Sequence, residues 1–278
     1  MTGLINWNEL RKAMMSEHHM RRKGEDPAHM WDKRADDFNK STRKNQERTL
    51  KQIERFQLKP EYSVLDVGAG TGRLSIPIAK QVAKVTAIDQ STGMLNYLKE
   101  NMENEGLTNI DCIQKRWEDV KLGEDIEPHD VVVASHSLGM FDLQEAIEKI
   151  DAAAKKYVYV LTFAGKWMFD GKEEELWERL HDRPMRHRGW HSDYMLLYNI
   201  LHDMGIYANV EVKDVKHEQH YDNLDDAVSR WKEMRDIPPE KEHILRDHLS
   251  NILEQDGNGG YFFKHKSKSA MIWWSKAE

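Results

Sequence analysis

The stretch Ser63-Val64-Leu65-Asp66-Val67-Gly68-Ala69-Gly70-Thr71-Gly72-Arg73 combines residue types that can hold a ligand. Three glycines at alternate positions free the backbone to take tight angles and to lie close against a bound molecule. A helix that starts after them adds unpaired N–H groups at its N-terminus. Asp66 stands two residues before Gly68, so a negative charge precedes the turn. A second acid, Asp89, closes the run Lys84-Val85-Thr86-Ala87-Ile88-Asp89. A carboxylate at the end of a neighbouring strand accepts hydrogen bonds from a ribose diol. Ser135-His136-Ser137 follows the apolar run Asp130-Val131-Val132-Val133-Ala134, and an imidazole there can take a proton near neutral pH. His191 and Tyr194, at the start of a later helical segment, are further candidates for the same task.

The elements that must position these residues alternate. Val64, Leu65 and Val67 suit a strand covered on both faces, and Leu74, Ile76, Ile78, Ala79 and Val82 predict a helix after the turn, with Pro77 tolerated near its beginning. Residues 84–89 predict a second strand, and Ser91 is placed to cap a helix whose apolar face is Met94, Leu95, Leu98 and Met102. Residues 110–113, 130–134 and 157–163 predict three more strands, with a helix marked by Leu143, Ile147, Ile150 and Ala154 before the last of them. This order predicts an α/β protein with a doubly wound, mostly parallel sheet, helices on both faces and right-handed crossovers.

The rhythm changes after Gly165. Helices are expected over residues 173–181 and 193–204, a sixth strand over 207–215, and a last extended run over 261–274 in two pieces around a polar bend. Two amphipathic helices lie between, one carrying Leu224, Val228 and Trp231, the other Ile244, Leu245, Leu249, Ile252 and Leu253. The expected organisation is an N-terminal helical extension over 1–57, a ligand-binding core over 58–165, a helical cover over 166–205, and core strands over 206–278 with a helical insertion at 222–256. Insertions beside the ligand edge of a sheet are candidate lids. The extension reads as a lead-in with Leu50, Ile53 and Phe56 on its apolar side. Within it, Trp31 and Phe38 stand among charges and either pack on the domain or fold over its ligand.

Composition narrows the classes. With 41 basic and 48 acidic residues the net charge of −7 argues against a nucleic acid as main partner, although Lys and Arg gather between residues 11 and 51 and at Lys264, Lys266 and Lys268. Cys112 is the single cysteine, which excludes an intramolecular disulfide framework and any multi-cysteine metal site. His18, His19, His187, His191, His217 and His220 lack the carboxylate or cysteine that would complete a site, so no metal is expected. No apolar run approaches the roughly 20 residues of a membrane span. Trp7, Glu9, Arg11 and Lys12 interrupt what an export signal would need, and the expectation is a cytoplasmic monomer or homodimer.

Dinucleotides and S-adenosylmethionine both use a glycine turn after the first strand of such a sheet. The dinucleotide fingerprint needs G-x-G-x-x-G, whereas the spacing here is G-x-G-x-G with Arg73 following. Asp66 would repel a pyrophosphate and suits a cationic amino-acid moiety, which favours S-adenosylmethionine. Val64-Leu65-Asp66-Val67-Gly68-Ala69-Gly70-Thr71-Gly72 resembles the first motif of the class I S-adenosylmethionine-dependent methyltransferases. Ala87-Ile88-Asp89 resembles their second-strand acid, and Arg116-Trp117-Glu118-Asp119 resembles the loop beside the adenine.

The resemblance covers residues 58–165 and implies a Rossmann-like, seven-stranded sheet with an antiparallel last strand. It also implies a cofactor held by Asp66, Gly68, Ala69, Gly70, Thr71 and Gly72, the turn facing the methionine end, by Asp89 at the ribose, and by Gln90, Met94 and Ser135. Trp117 and Glu118 would flank the adenine, and Ser135 and His136 would lie at the substrate mouth. Arg116 stands where the family often carries an acid, and Glu118 is the expected substitute. The implied reaction is in-line methyl transfer to a small or medium-sized acceptor, with a macromolecular acceptor or a non-catalytic cofactor-binding role as alternatives. The Asn/Asp-Pro-Pro-Tyr signature of amino-group methylation is absent after the fourth strand, and Cys112 falls in a predicted strand, which disfavours a cysteine nucleophile.

Overall fold

Near-continuous Val, Ile, Leu and Ala runs can be buried only between two layers, and in the computed structural model they form the middle of one sheet. The structure describes residues 5–16, 26–44, 46–165, 172–184, 194–234, 237–257 and 259–276. Strands β1 (Ser63–Val67), β2 (Lys84–Asp89), β3 (Ile110–Gln114), β4 (His129–Ser135) and β5 (Ala154–Ala164) pair in parallel. β6 (Asn209–Tyr221) and β8 (Tyr261–Ser275) complete the order β3-β2-β1-β4-β5-β8-β6, with β8 antiparallel to both of its neighbours. A two-residue β7 (Glu254–Gln255) pairs with β8 beside this seven-strand path.

Because successive strand residues point to opposite faces, each face has its own core. On one, Leu65, Val67, Val132 and Val158 meet α6 (Leu143–Ala153) and α8 (Tyr194–Asp203). On the other, Val64, Val85, Val131 and Tyr159 meet α4 (Ser75–Ala79) and α5 (Thr92–Asn104), together with Ile53 of α3 (Gln46–Ile53). Phe56 also joins this second core, but Leu50 is 48% exposed and Thr49 takes the inward place expected of it. The inward side of α3 is set by Thr49, Gln52 and Ile53, because Arg73 and the core reach it there. The N-terminal segment is therefore part of the fold, with α1 (Trp7–Ser16) and α2 (Pro27–Lys44) docked around the ligand edge of the sheet.

The last run is one strand of 15 residues, not two pieces around a bend. Its polar middle is extended because it pairs with β6, which reaches Tyr221 instead of ending near 215. β5 stops pairing at Ala164↔Lys268, while β6 and β8 continue from Val215↔Ser267 to Tyr221↔Tyr261. At about 3.3 Å per residue this arm overhangs the end of β5 by roughly 20 Å. It carries α9 (Leu224–Met234) and α10 (Glu242–Ile252), which share a separate apolar cluster with α7 (Lys172–His181) through Leu176, Leu180, Val228, Trp231, Leu245 and Leu249.

Candidate functional site

The turn after β1 carries positive φ at Gly68 (+73°), Gly70 (+57°) and Gly72 (+87°), which L side chains adopt only under strain. The N–H groups of Gly68 and Ala69 both donate to Ile88 O, at 2.8 and 3.0 Å, so the turn is pinned to the end of β2. It is also crowded. A Cβ on Gly68 would stand 2.2 Å from Ser137 Cβ, and one on Gly72 would stand 2.2 Å from Leu98 Cδ1. Ser137 Oγ donates to Val67 O at 2.5 Å, which fixes the loop after β4 against the turn.

Asp89 ties three elements together. Its carboxylate accepts from Gly70 N at 2.9 Å and Ser91 N at 2.8 Å, and the backbone N–H of Gln90 also bonds to it. Burial raises its pKa, opposed by these backbone donors. Ser91 caps α5 by accepting from Met94 N at 3.0 Å, and Met94 is buried with its Sδ 3.9 Å from the Cβ position of Gly70. Gln90 is half-buried beside them. Thr71 is buried, with its carbonyl accepting from Asn101 Nδ2 at 2.9 Å and its hydroxyl 3.4 Å from that of Thr42.

Helix α2 lies across this region. Asp32 accepts from Ser91 Oγ at 2.6 Å and Gly93 N at 2.8 Å, bonds that hold its carboxyl below the usual range. Phe38 Cε1 is 3.3 Å from the Cβ position of Gly70. Neither residue followed from the glycine motif; the only sign was an aromatic pair set among charges.

Asp66 is buried behind the turn, where it accepts from Ser75 Oγ at 2.6 Å. Burial pushes its carboxyl up to about 6 against the opposing Ser75 bond and the charge of Arg73. Arg73 reaches the C-terminal end of β4, donating to Ser135 Oγ at 2.6 Å and to Gln52 Oε1 at 2.8 Å. His136 follows with φ +54°, an uncommon backbone conformation for a non-glycine residue, its ring centroid 4.5 Å from that of Phe163. The loop beyond is held from α1. Arg11, 1% exposed, donates to the carbonyls of Leu138 (3.0 Å), Met140 (2.5 Å) and Phe141 (3.1 Å).

The structure gathers Asp89, the glycine turn, Met94 and Ser135-His136 along the C-terminal edge of the sheet, where ligands of doubly wound folds bind. Trp117 is placed elsewhere in kind. It is buried in the core below α6, its indole N–H donating to Ala146 O at 3.1 Å, while Glu118 is exposed. Arg116 pairs with Asp26 at 2.5 Å. Tyr194 packs half-buried on the α6–α8 core, and His18, His19, His187 and His191 lie outside the described residues. No group of three or more His, Cys, Asp or Glu among the described residues is arranged to hold a metal, and no described helix is long and apolar enough to cross a membrane.

These groups suit a nucleoside with a cationic tail. The carboxylate of Asp89 is available to a diol, the turn offers bare backbone, and Asp66 behind it disfavours a pyrophosphate. Residues 64–157 match the family described as a methyltransferase domain. An uncharacterized protein of Haemophilus influenzae is 27% identical over 228 residues, covering 80% of each chain. Among solved structures, the YcgJ protein of Bacillus subtilis matches with TM-score 0.55 and 15% identity over 83% of this chain and 98% of its own. A candidate methyltransferase from Bacillus halodurans C-125 matches with TM-score 0.56 and 17% identity over 83% and 99%. At such identities these two likenesses speak for the fold alone. The family match and the fold together show a methyltransferase domain of Rossmann-like architecture over residues 64–157, with S-adenosylmethionine as its cofactor.

Proposed function

We propose that the enzyme transfers the methyl group to a small or medium-sized acceptor held between the C-terminal edge of the sheet and the helices on the β6–β8 arm. The observation that carries this reading is the arm itself. It overhangs the end of β5, and α7, α9 and α10 are joined on it by a core of their own, which suits them to enclose a compact acceptor. Among the described residues, several basic side chains of the N-terminal and C-terminal segments are paired with acids. Lys12 pairs with Asp142, Lys40 with Asp36, Arg55 with Glu211, Lys264 with Glu218 and Lys268 with Asp214, which argues against an extended nucleic-acid groove.

Methyl transfer from a sulfonium needs donor and acceptor aligned, water excluded and, where the acceptor carries a proton, a base. In this reading Asp89, with Gln90 and Met94, receives the ribose, the Gly68 to Gly72 turn with Ala69 and Thr71 receives the methionine end, and Glu118 reaches the adenine. Trp117 supports that loop from within the core. His136 takes the acceptor proton: it is exposed at the end of β4 and held in an uncommon backbone conformation. The reading includes a cytoplasmic monomer or homodimer, in keeping with a single, half-buried cysteine. Incubation of a fractionated host extract with methyl-labelled S-adenosylmethionine is expected to place label in a small-molecule fraction. His136→Ala should lower that turnover by about 10²-fold or more with cofactor affinity unchanged. Label in RNA or protein alone would remove the small-acceptor reading, and unchanged turnover would remove His136.

A further inference from the structure

Arg73 and Arg48 stand together beside the C-terminal end of β4. Among the described residues, the guanidinium of Arg73 is bonded to neutral oxygens, those of Thr49 (3.2 Å), Gln52 (2.8 Å) and Ser135 (2.6 Å). The carboxyl nearest in charge, Asp66, is committed to Ser75 and pushed up to about 6 by burial. Arg48 precedes Gln52 by one turn of α3, so it shares the helix face that holds Arg73, and its charge adds to the burial that brings Arg73 down to about 10.

Arg48 is itself partly buried, and among the described residues it makes no hydrogen bond, ion pair or ring contact. Other arginines find acceptors: Arg11 in three carbonyls, Arg43 in Asn101, Arg116 in Asp26, Arg230 in Asp226. Two cations withdrawn together from water are unfavourable unless an anion joins them. A guanidinium fork matches the paired oxygens of a carboxylate or phosphate. The site adjoins Ser135 and His136 at the ligand edge of the sheet.

We propose that Arg48 and Arg73 form an anion subsite beside the methyl-transfer centre, and that the acceptor carries the carboxylate or phosphate it receives. The assignment of this anion to the acceptor rests on the small-acceptor reading above. The cofactor has an α-carboxylate of the same chemistry, so the experiment separates the two sources. It uses the full chain with Arg48→Met, which removes the charge, and Arg48→Lys, which keeps it. Calorimetry compares S-adenosylhomocysteine with 5′-methylthioadenosine, a related nucleoside without the carboxylate. Label transfer into the small-molecule fraction, resolved by anion exchange, reads the acceptor.

Wild type is expected to label a product retained as an anion. Arg48→Met should lower labelling by about tenfold to a hundredfold, the worth of a charge-assisted hydrogen bond, with both nucleoside affinities unchanged and Arg48→Lys recovering part of the loss. A tenfold loss for S-adenosylhomocysteine alone would keep the subsite and assign it to the cofactor's carboxylate. Unchanged labelling with unchanged affinities would overturn the subsite, and so would equal losses for both nucleosides. A labelled product that passes the column overturns the assignment to the acceptor. Label confined to RNA or protein removes the small-acceptor reading instead, and the ratio of the two affinities then decides the subsite.

Discussion

Two carboxylates of the same residue type do different work because of where the strands deliver them. Asp89 stands half-buried at the end of β2 and holds backbone N–H groups of the turn and of α5's cap, whereas Asp66 sits inside β1 with Ser75 as its bonded partner. The folded chain keeps the Asp66 proton to about pH 6, against 3.8 for an ordinary aspartate, because burial penalises the charged form. The sign follows from linkage. The stability contributed by this proton is full below about pH 3.8 and is lost as pH rises through about 6. Asp66→Asn, which keeps an acceptor for Ser75, is expected to flatten that segment: in urea unfolding the variant gains on wild type between pH 5 and pH 8. A constant gap between the two proteins at both pH values would contradict the buried, proton-holding carboxyl. Asp66 was legible as an acid before the turn, but its burial depends on Ser75 closing over it from α4.

Among the elements, α1 acts at the longest range. Its Arg11 gathers three carbonyls of the loop after β4 while Asn8 Oδ1 accepts from Leu143 N at 3.1 Å, so one helix fixes both the loop and the start of α6. Removing the guanidinium would leave the buried Met140 carbonyl unsatisfied, at about 1–3 kcal/mol, and take a donor from the part-buried carbonyls of Leu138 and Phe141. Arg11→Met is therefore expected to lower stability by about 2–4 kcal/mol and to speed amide hydrogen exchange in residues 136–142 more than in β1 or β4. Uniform acceleration across the sheet would mean that Arg11 supports the whole fold and not this loop. Such contacts were not legible in the sequence, where Arg11 is one cation in a polar helix and its partners lie about 130 positions away. The same holds for α2. Asp32 and Phe38 look like surface residues until α5 and the glycine turn are brought beneath them.

At the scale of the molecule, the parallel half of the sheet was legible because both-face burial writes Val131-Val132-Val133-Ala134 and its counterparts as unbroken apolar runs. The antiparallel half was less so. Lys264, Lys266 and Lys268 alternate on an exposed face of β8, and a strand carrying a cation at every second position reads as a bend until β6 supplies its partner and the paired acids. The turn and Asp89 were legible as neighbours at the C-terminal edge of the sheet, whereas the depth of the Trp117 side chain was not, because it depends on how α6 packs over it. The central claim is that the turn and Asp89 hold S-adenosylmethionine. Calorimetry of the full chain with S-adenosylmethionine and with NAD tests it most directly, alongside Asp89→Ala. The account predicts saturable binding of S-adenosylmethionine, no measurable binding of NAD, and at least tenfold weaker binding in the variant through loss of charge-assisted bonds to the diol. Binding of NAD without S-adenosylmethionine, or full affinity in Asp89→Ala, would contradict it.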